Sequence, residues 1–329
     1  MSPAAESPDV PGSPAPISPE APVRPASVSQ APVSPALPAE RCARAALRRG
    51  DPLVGTAAPA SGFLLVESPG GWGRRALVNS RLDPEVGEAV SARAIARGLR
   101  ALLIRRPGRQ VDPPRRRWAV VSSRPGRELA WWGDFAADEE LLSLPLDGTV
   151  GAASNEPFFL VCTHGRHDQC CAIEGRPVAA ALQALRPDAV WECSHVGGDR
   201  FAANVVALPH GVYYGQVAAE DCAALMTAHD SGEVVPRLMR GRCTAPPAAQ
   251  AALAHLARER GLTAVDALNP AGTIHLGGGR WQVRVRAGQQ TVIVTVQAAA
   301  GRAPGLLTCQ AVNPAHPPAF RVLAVSEIR

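Results

Sequence analysis

From residue 41 onward the chain alternates short apolar runs with helically spaced ones, whereas residues 1–40 carry no such period. A short helix is expected over Cys42–Arg49. Gly62-Phe63-Leu64-Leu65-Val66-Glu67 then predicts a strand, residues 84–99 a helix, and Ala101-Leu102-Leu103-Ile104 the next strand. Trp118-Ala119-Val120-Val121-Ser122 predicts another strand, and a turn at Arg124-Pro125-Gly126 leads into residues 128–135. Strands alternating with a helix predict an α/β domain over 41–146.

After a polar, Gly-bearing linker, Pro157-Phe158-Phe159-Leu160-Val161 forms an apolar run that ends at Cys162. Gly175-Arg176-Pro177 reads as the opening of a helix, with Val178, Leu182 and Leu185 at helical spacing and Arg186-Pro187 as its stop. Val190-Trp191-Glu192-Cys193-Ser194 is the next strand, and His195-Val196-Gly197-Gly198-Asp199 a Gly-rich loop. Two strand-like runs at 204–208 and 212–217, joined by Pro209-His210-Gly211, precede a helix over 219–229. The order strand, helix, strand, hairpin, helix over 157–237 is that of a thioredoxin-like module. It sets Cys162 and His195 at neighbouring strand ends. A helix over 247–260 and strands at 281–285 and 291–296 predict a small α+β extension over 243–329.

Composition adds limits. Residues 1–40 are Pro, Ala and Ser in the main and are expected to be a disordered tail. The 329 residues, 46% of them hydrophobic, suffice for more than one core. All 34 basic residues are arginine, and a net charge of +5 says little about partners. The densest basic stretch, from Arg105-Arg106 to Arg115-Arg116-Arg117, reads as a solvated loop, with an acidic protein partner as the sharper alternative. Nucleic acid and membrane partners are not expected. No apolar run of about 18 residues occurs, and no basic segment leads into an apolar core, so a cytoplasmic location is expected.

Eight cysteines in such a chain read as metal ligands or buried thiols rather than as a disulfide framework. Residues 162–171 hold Cys162, Cys170, Cys171, His164 and His167, with Cys193 and His195 one helix and one strand later. Thiolate and imidazole together suit zinc or iron–sulfur chemistry. The wide gap between Cys162 and Cys171 fits a zinc knuckle poorly and a two-iron cluster better. Gly197 and Gly198 would let backbone approach inorganic sulfide. Cys193 and His195, two apart on an extended strand, would share a face. Cys171 is preferred to Cys170 as ligand. His164 and His167 read as solvated side chains or as hydrogen-bonding supports, and Arg200 and Asn204 as braces of the Gly-rich loop. Cys42, Cys222, Cys243 and Cys309 read as inert buried thiols outside the site.

Residues 158–176, 191–204 and 212–217 resemble the sucrase/ferredoxin-like family of thioredoxin-like [2Fe–2S] proteins. The resemblance implies a thioredoxin-like ferredoxin module, with an N-terminal α/β domain before it and an α+β extension after it. It also implies a [2Fe–2S] cluster held by Cys162 and Cys171 on one iron and by His195 on the other. The position of a second family histidine is occupied by Asp199. Asp199 binding through oxygen, Cys193 as the fourth ligand, and a weak or absent cluster all stay open. The resulting expectation is an electron carrier or redox module with unidentified donor and acceptor proteins. A thiol-based oxidoreductase and a zinc-stabilised interaction protein are the rivals. No pair of carboxylates is set for glycoside hydrolysis.

Overall fold

The computed structural model describes residues 40–109 and 113–328; all but the last residue of the expected tail at 1–40 lies outside them. The helices are α1 Cys42–Arg49, α2 Pro84–Ala96, α3 Glu140–Ser143, α4 Gln169–Leu185, α5 Cys222–Asp230 and α6 Pro247–Arg260. The first ten strands are β1 Gly62–Glu67, β2 Leu99–Arg105, β3 Arg116–Ser122, β4 Leu129–Phe135, β5 Ala152–Ser154, β6 Phe158–Cys162, β7 Val190–Cys193, β8 Val205–Leu208, β9 Val212–Tyr214 and β10 Met239–Arg242. They form one mixed sheet in the order β10-β9-β8-β6-β7-β2-β1-β3-β4-β5. A separate antiparallel sheet contains β11 Asn269–Gly277, β12 Arg280–Ala287, β13 Gln290–Ala300 and β14 Pro318–Ile328.

The central strands are apolar almost throughout because both faces are covered. Every residue of β1 and β6 is buried, as expected where parallel neighbours and crossover helices enclose a strand. β1 pairs parallel with β2, β6 pairs parallel with β7, and β2 pairs antiparallel with β7 through Ile104–Cys193 and Arg105–Glu192. The sheet therefore runs unbroken from the strands of 62–154 into those of 158–242. Phe63, Leu65 and Ile104 share one apolar cluster with Phe158, Leu160 and Trp191.

In the second sheet, Val283 and Val285 alternate with more exposed neighbours, as do Val292, Val294 and Val296. These valines pack against the alanine-rich face of α6.

Three helix boundaries differ from expectation; helix α5 starts at Cys222, not residue 219, because Ala219–Asp221 form a 3-10 turn. Helix α2 stops at Ala96, not residue 99, because Gly98 turns the chain in the left-handed region and Leu99 already belongs to β2. Helix α4 begins six residues before Gly175, at Gln169, with Pro177 in its interior. The carboxylate of Asp168 accepts from the Cys170 N–H at 2.9 Å and caps the helix. Cys170 and Cys171 consequently lie in its first turn.

Candidate metal centre

Cys162 is the last residue of β6, opposite Cys193 in the parallel register with β7. Its N–H donates to the Asn204 carbonyl at 3.0 Å. Helix α4 lies close against this strand end because residue 175 is glycine: a Cβ there would stand 2.2 Å from the Cys162 carbonyl oxygen. The close approach brings the first turn of α4, and with it Cys171, to Cys162.

The sulfurs of Cys162 and Cys171 and a ring nitrogen of His195 lie within 4.8 Å of one another, with both thiols fully buried. Asp199 joins from the end of the Gly-rich loop. Its Oδ1 stands 3.3 Å from the Cys171 sulfur and 3.0 Å from His195 Nδ1. That nitrogen is buried, yet no hydrogen bond of acceptable direction reaches it. A ring nitrogen aimed at a donor cluster without a hydrogen-bond partner is what a metal ligand presents. Two fully buried sulfurs, a partly exposed imidazole and a buried carboxylate fit a metal or a small iron–sulfur cluster.

Cys193 does not join this group, although its backbone lies beside that of Cys162. It is fully buried in the apolar cluster that also holds Leu102, Ile104 and Trp191, and burial pushes its thiol well up. The dual presentation of Cys193 and His195 expected from an extended strand does not arise, because β7 ends at Cys193 and His195 is already in the loop.

The charges within the site are interlocked. The neighbouring Cys171 thiol holds the Cys162 pKa well down against burial, with His195 adding to the effect. Cys171 is pushed up, first by Cys162 and then by burial. Burial works against a charged His195, but contacts with Asp199 and Cys162 outweigh it and raise its pKa to about 9. Burial likewise opposes ionisation of Asp199, and His195 and the Cys171 thiol reverse the balance and lower its pKa.

The sucrase/ferredoxin-like family model matches residues 53–241, more than half of the chain. The chain belongs to the sucrase/ferredoxin-like family. Among solved structures, it is similar to the thioredoxin-like [2Fe–2S] ferredoxin from Aquifex aeolicus. Identity is 26% over 26% of this chain and 91% of that one, with a TM-score of 0.24. A cysteine-to-serine variant of that ferredoxin is 28% identical over 26% of this chain and 97% of its own, with a TM-score of 0.24. No curated protein matches.

In this sucrase/ferredoxin-like protein the loop carrying His195 is held by groups far away in sequence. Arg240, 1% exposed, donates from Nη1 to the Gly197 carbonyl at 2.8 Å and to Asn204 Oδ1 at 2.7 Å. It also donates from Nε to Thr56 Oγ1 at 3.0 Å and from Nη2 to the Thr56 carbonyl at 2.5 Å. Asn204 returns a bond to the Gly198 carbonyl, and Arg100 donates to the His195 carbonyl, both at 2.9 Å. Gly198, at φ +80°, faces the guanidinium so closely that a Cβ would meet Arg240 Nη2 at 2.4 Å. Gly197, at φ +91°, has open space beside it, with Ala58 Cβ its only close neighbour at 3.9 Å.

Asn204 thus braces the loop, whereas Arg200 stacks on Phe201 and lies 3.4 Å from Asp51. Nothing in the spacing of Arg100 or Arg240 marks them as supports of a loop so far along the chain.

His164 is not a solvated side chain. Only 3% exposed, it receives the His195 backbone N–H at Nδ1 and donates from Nε2 to the Gly73 carbonyl at 2.7 Å. These two bonds fix the neutral tautomer, and burial lowers its pKa accordingly. His167, half-buried, stacks on His195 with ring centroids 3.7 Å apart and planes 17° from parallel.

The arginine-rich stretch is largely engaged. Arg105 pairs with Glu192 at 2.7 Å and covers Trp72, Arg106 covers Trp191, and Arg117 covers Trp132.

A second thiol cluster was invisible in the sequence. Cys42, Cys170 and Cys309, taken singly as inert, converge from α1, α4 and the β13–β14 connection. Their sulfurs are 3.7, 3.4 and 3.5 Å apart, and Asp168 Oδ2 lies 3.7 Å from the Cys42 sulfur. The chain separations, 128 residues from Cys42 to Cys170 and 139 from there to Cys309, leave no local motif. Cys222 and Cys243 remain isolated buried thiols.

Proposed function

We propose that the chain is an iron–sulfur electron-transfer protein that binds a [2Fe–2S] cluster through Cys162, Cys171, His195 and Asp199 in a thioredoxin-like module. The observation that carries this reading is the approach of two fully buried thiols and an imidazole to within 4.8 Å of one another, with the Asp199 carboxylate 3.3 Å from the Cys171 sulfur, in a member of this family.

A bound [2Fe–2S] cluster supplies a one-electron couple, and imidazole ligation at one iron raises its potential above that of an all-thiolate centre. The residues of the chain hold that couple in one geometry. Cys162 is fixed by the sheet, Cys171 by the first turn of α4, and His195 by the bonds of Arg240, Arg100, Asn204 and His164 around its loop. Donors so restrained need little rearrangement when the charge of the centre changes. Burial of both sulfurs keeps water from them.

His167 connects this interior to the surface. Its ring lies on that of His195 and is half exposed, and the exposed side chains of Arg74 and Arg166 flank its segment and the neighbouring loop. An acidic donor or acceptor protein, meeting the module on this face in the cytoplasm, suits that charge.

The thiol-oxidoreductase alternative requires a thiolate that a substrate can reach, and both Cys162 and Cys171 are 0% exposed. Iron and acid-labile sulfide assayed on anaerobically purified protein test the proposal. Stoichiometric iron and sulfide, lost on Cys162→Ser, support it. Zinc without sulfide, lost on Cys162→Ser, would replace it with the structural-zinc reading.

A further inference from the structure

We propose that Cys42, Cys170, Cys309 and Asp168 form a second, mononuclear metal site that takes zinc and fastens three distant segments of the chain together.

A zinc ion bound at about 2.3 Å by thiolates in tetrahedral array separates their sulfurs by about 3.8 Å. The three observed separations, 3.4 to 3.7 Å, already approach the edge of such a tetrahedron. The fourth corner is supplied by Asp168, whose carboxylate oxygens stand 3.7 and 3.9 Å from the Cys42 sulfur. A zinc–oxygen bond of about 2.0 Å beside a zinc–sulfur bond calls for roughly 3.5 Å. All four donors lie within 4.8 Å of one another, a spread that a single ion can bridge.

Asp168 is also fixed in place. One of its oxygens accepts from the Cys170 N–H at 2.9 Å and the other from the Cys309 N–H at 2.7 Å. Each oxygen retains a lone pair for a metal. Carboxylate orientation of this kind, set by backbone donors, is what holds ligating oxygens in productive geometry. Cys42 and Cys170 are buried and Cys309 is half-buried, so an ion would be shielded while keeping one approach from solvent.

The site joins α1, the start of α4 and the connection between β13 and β14. The last of these is a long stretch with little regular structure, which neither sheet fastens along its length. A metal there would tie the N-terminal helix and the second sheet to the helix that presents Cys171. Thiolate-rich sites of this composition gain folding free energy from the ion itself.

The full-length chain carrying both Cys162→Ser and Cys171→Ser isolates this site from the proposed cluster. Its metal-free form is titrated with Co²⁺, which reports tetrahedral thiolate ligation through sulfur-to-metal charge-transfer absorption, and is then challenged with Zn²⁺. The expected result is roughly one equivalent of tetrahedral cobalt per chain, displaced by zinc. That signal should vanish when Cys42→Ser and Cys309→Ser are added, with far-ultraviolet circular dichroism unchanged. Cys309→Ser alone, on an irregular segment, supplies a variant that does not depend on a helix and should weaken cobalt affinity at least tenfold. Failure of the doubly substituted chain to bind cobalt, or binding that persists undiminished without Cys42 and Cys309, would overturn the proposal. Neither result depends on whether Cys162 and Cys171 hold iron.

Discussion

Cys170 and Cys171 are consecutive residues in the first turn of α4, yet their sulfurs enter different clusters. Successive residues on a helix are rotated by about 100°. Cys171 therefore turns inward to Cys162 and His195, and Cys170 faces Cys42 and Cys309. The cap at Asp168 sets the phase of the helix and so decides which thiol goes where.

This division predicts separable effects. Cys171→Ser should remove bound iron, whereas Cys170→Ser should leave the iron content and visible spectrum within about 20% of wild type. Loss of the chromophore from Cys170→Ser instead would reverse the assignment. The fourth ligand is tested in the same way: Asp199→Ala should alter the spectrum, and Cys193→Ala, which trims only a core sulfur, should not.

Arg240 is the main support of the His195 loop. Replacing it with alanine leaves the Gly197 and Thr56 carbonyls and Asn204 Oδ1 without their donor in a buried setting. Each bond to a charged group contributes about 1.5–3 kcal/mol, so a loss of at least ~3 kcal/mol is expected. It should register as a lower urea midpoint with an unchanged m-value. A change below about 1 kcal/mol would mean that the loop is held by other contacts.

The two loop glycines should behave differently. Gly198→Ala combines a left-handed backbone, costing about 1–2 kcal/mol, with a Cβ pressed into the buried guanidinium. Gly197→Ala meets the same backbone cost with open space beside it. Thermal melting of the two variants should rank Gly198→Ala clearly lower, and equal melting temperatures would contradict the close packing of Arg240 on the loop.

Away from the site, His229 makes stability depend on acid. Burial and the neighbouring His210 push its imidazole down to about 4, and its Nε2 lies 2.8 Å from the Tyr214 hydroxyl. The unfolded chain binds this proton first, near pH ~6.5. The contribution of neutral His229 is thus complete above that pH and is lost as pH falls through about 4. The loss amounts to about 3 kcal/mol in all. His229→Gln keeps a polar partner for Tyr214 and does not titrate. Urea denaturation at a series of pH values between neutrality and acid should show a flatter dependence for the variant, and parallel curves would refute the assignment.

Much of this was legible in the sequence. The apolar runs at 62–67 and 158–162 became wholly buried strands, and the order strand, helix, strand, hairpin, helix is present from β6 to α5. The start of α4 was not, because Pro177 resembles a helix opener and the capping Asp168 sits in a polar stretch of the kind loops use. His164 was misplaced for the same reason: its neighbours are polar and exposed, and only the folded chain brings Gly73 and His195 to its two nitrogens. Arg240 and the Cys42–Cys170–Cys309 cluster depend on contacts between segments far apart in the chain, for which neither periodicity nor spacing carries a signal.

The central claim is that Cys162, Cys171, His195 and Asp199 hold a redox-active two-iron cluster. Low-temperature EPR of the anaerobically purified, dithionite-reduced protein, with iron and sulfide assayed on the same sample, tests it most directly. A [2Fe–2S] signal of Rieske character, altered in His195→Cys and absent in Cys162→Ser, is the predicted result. A sample that stays colourless and EPR-silent after reconstitution with iron and sulfide would contradict it.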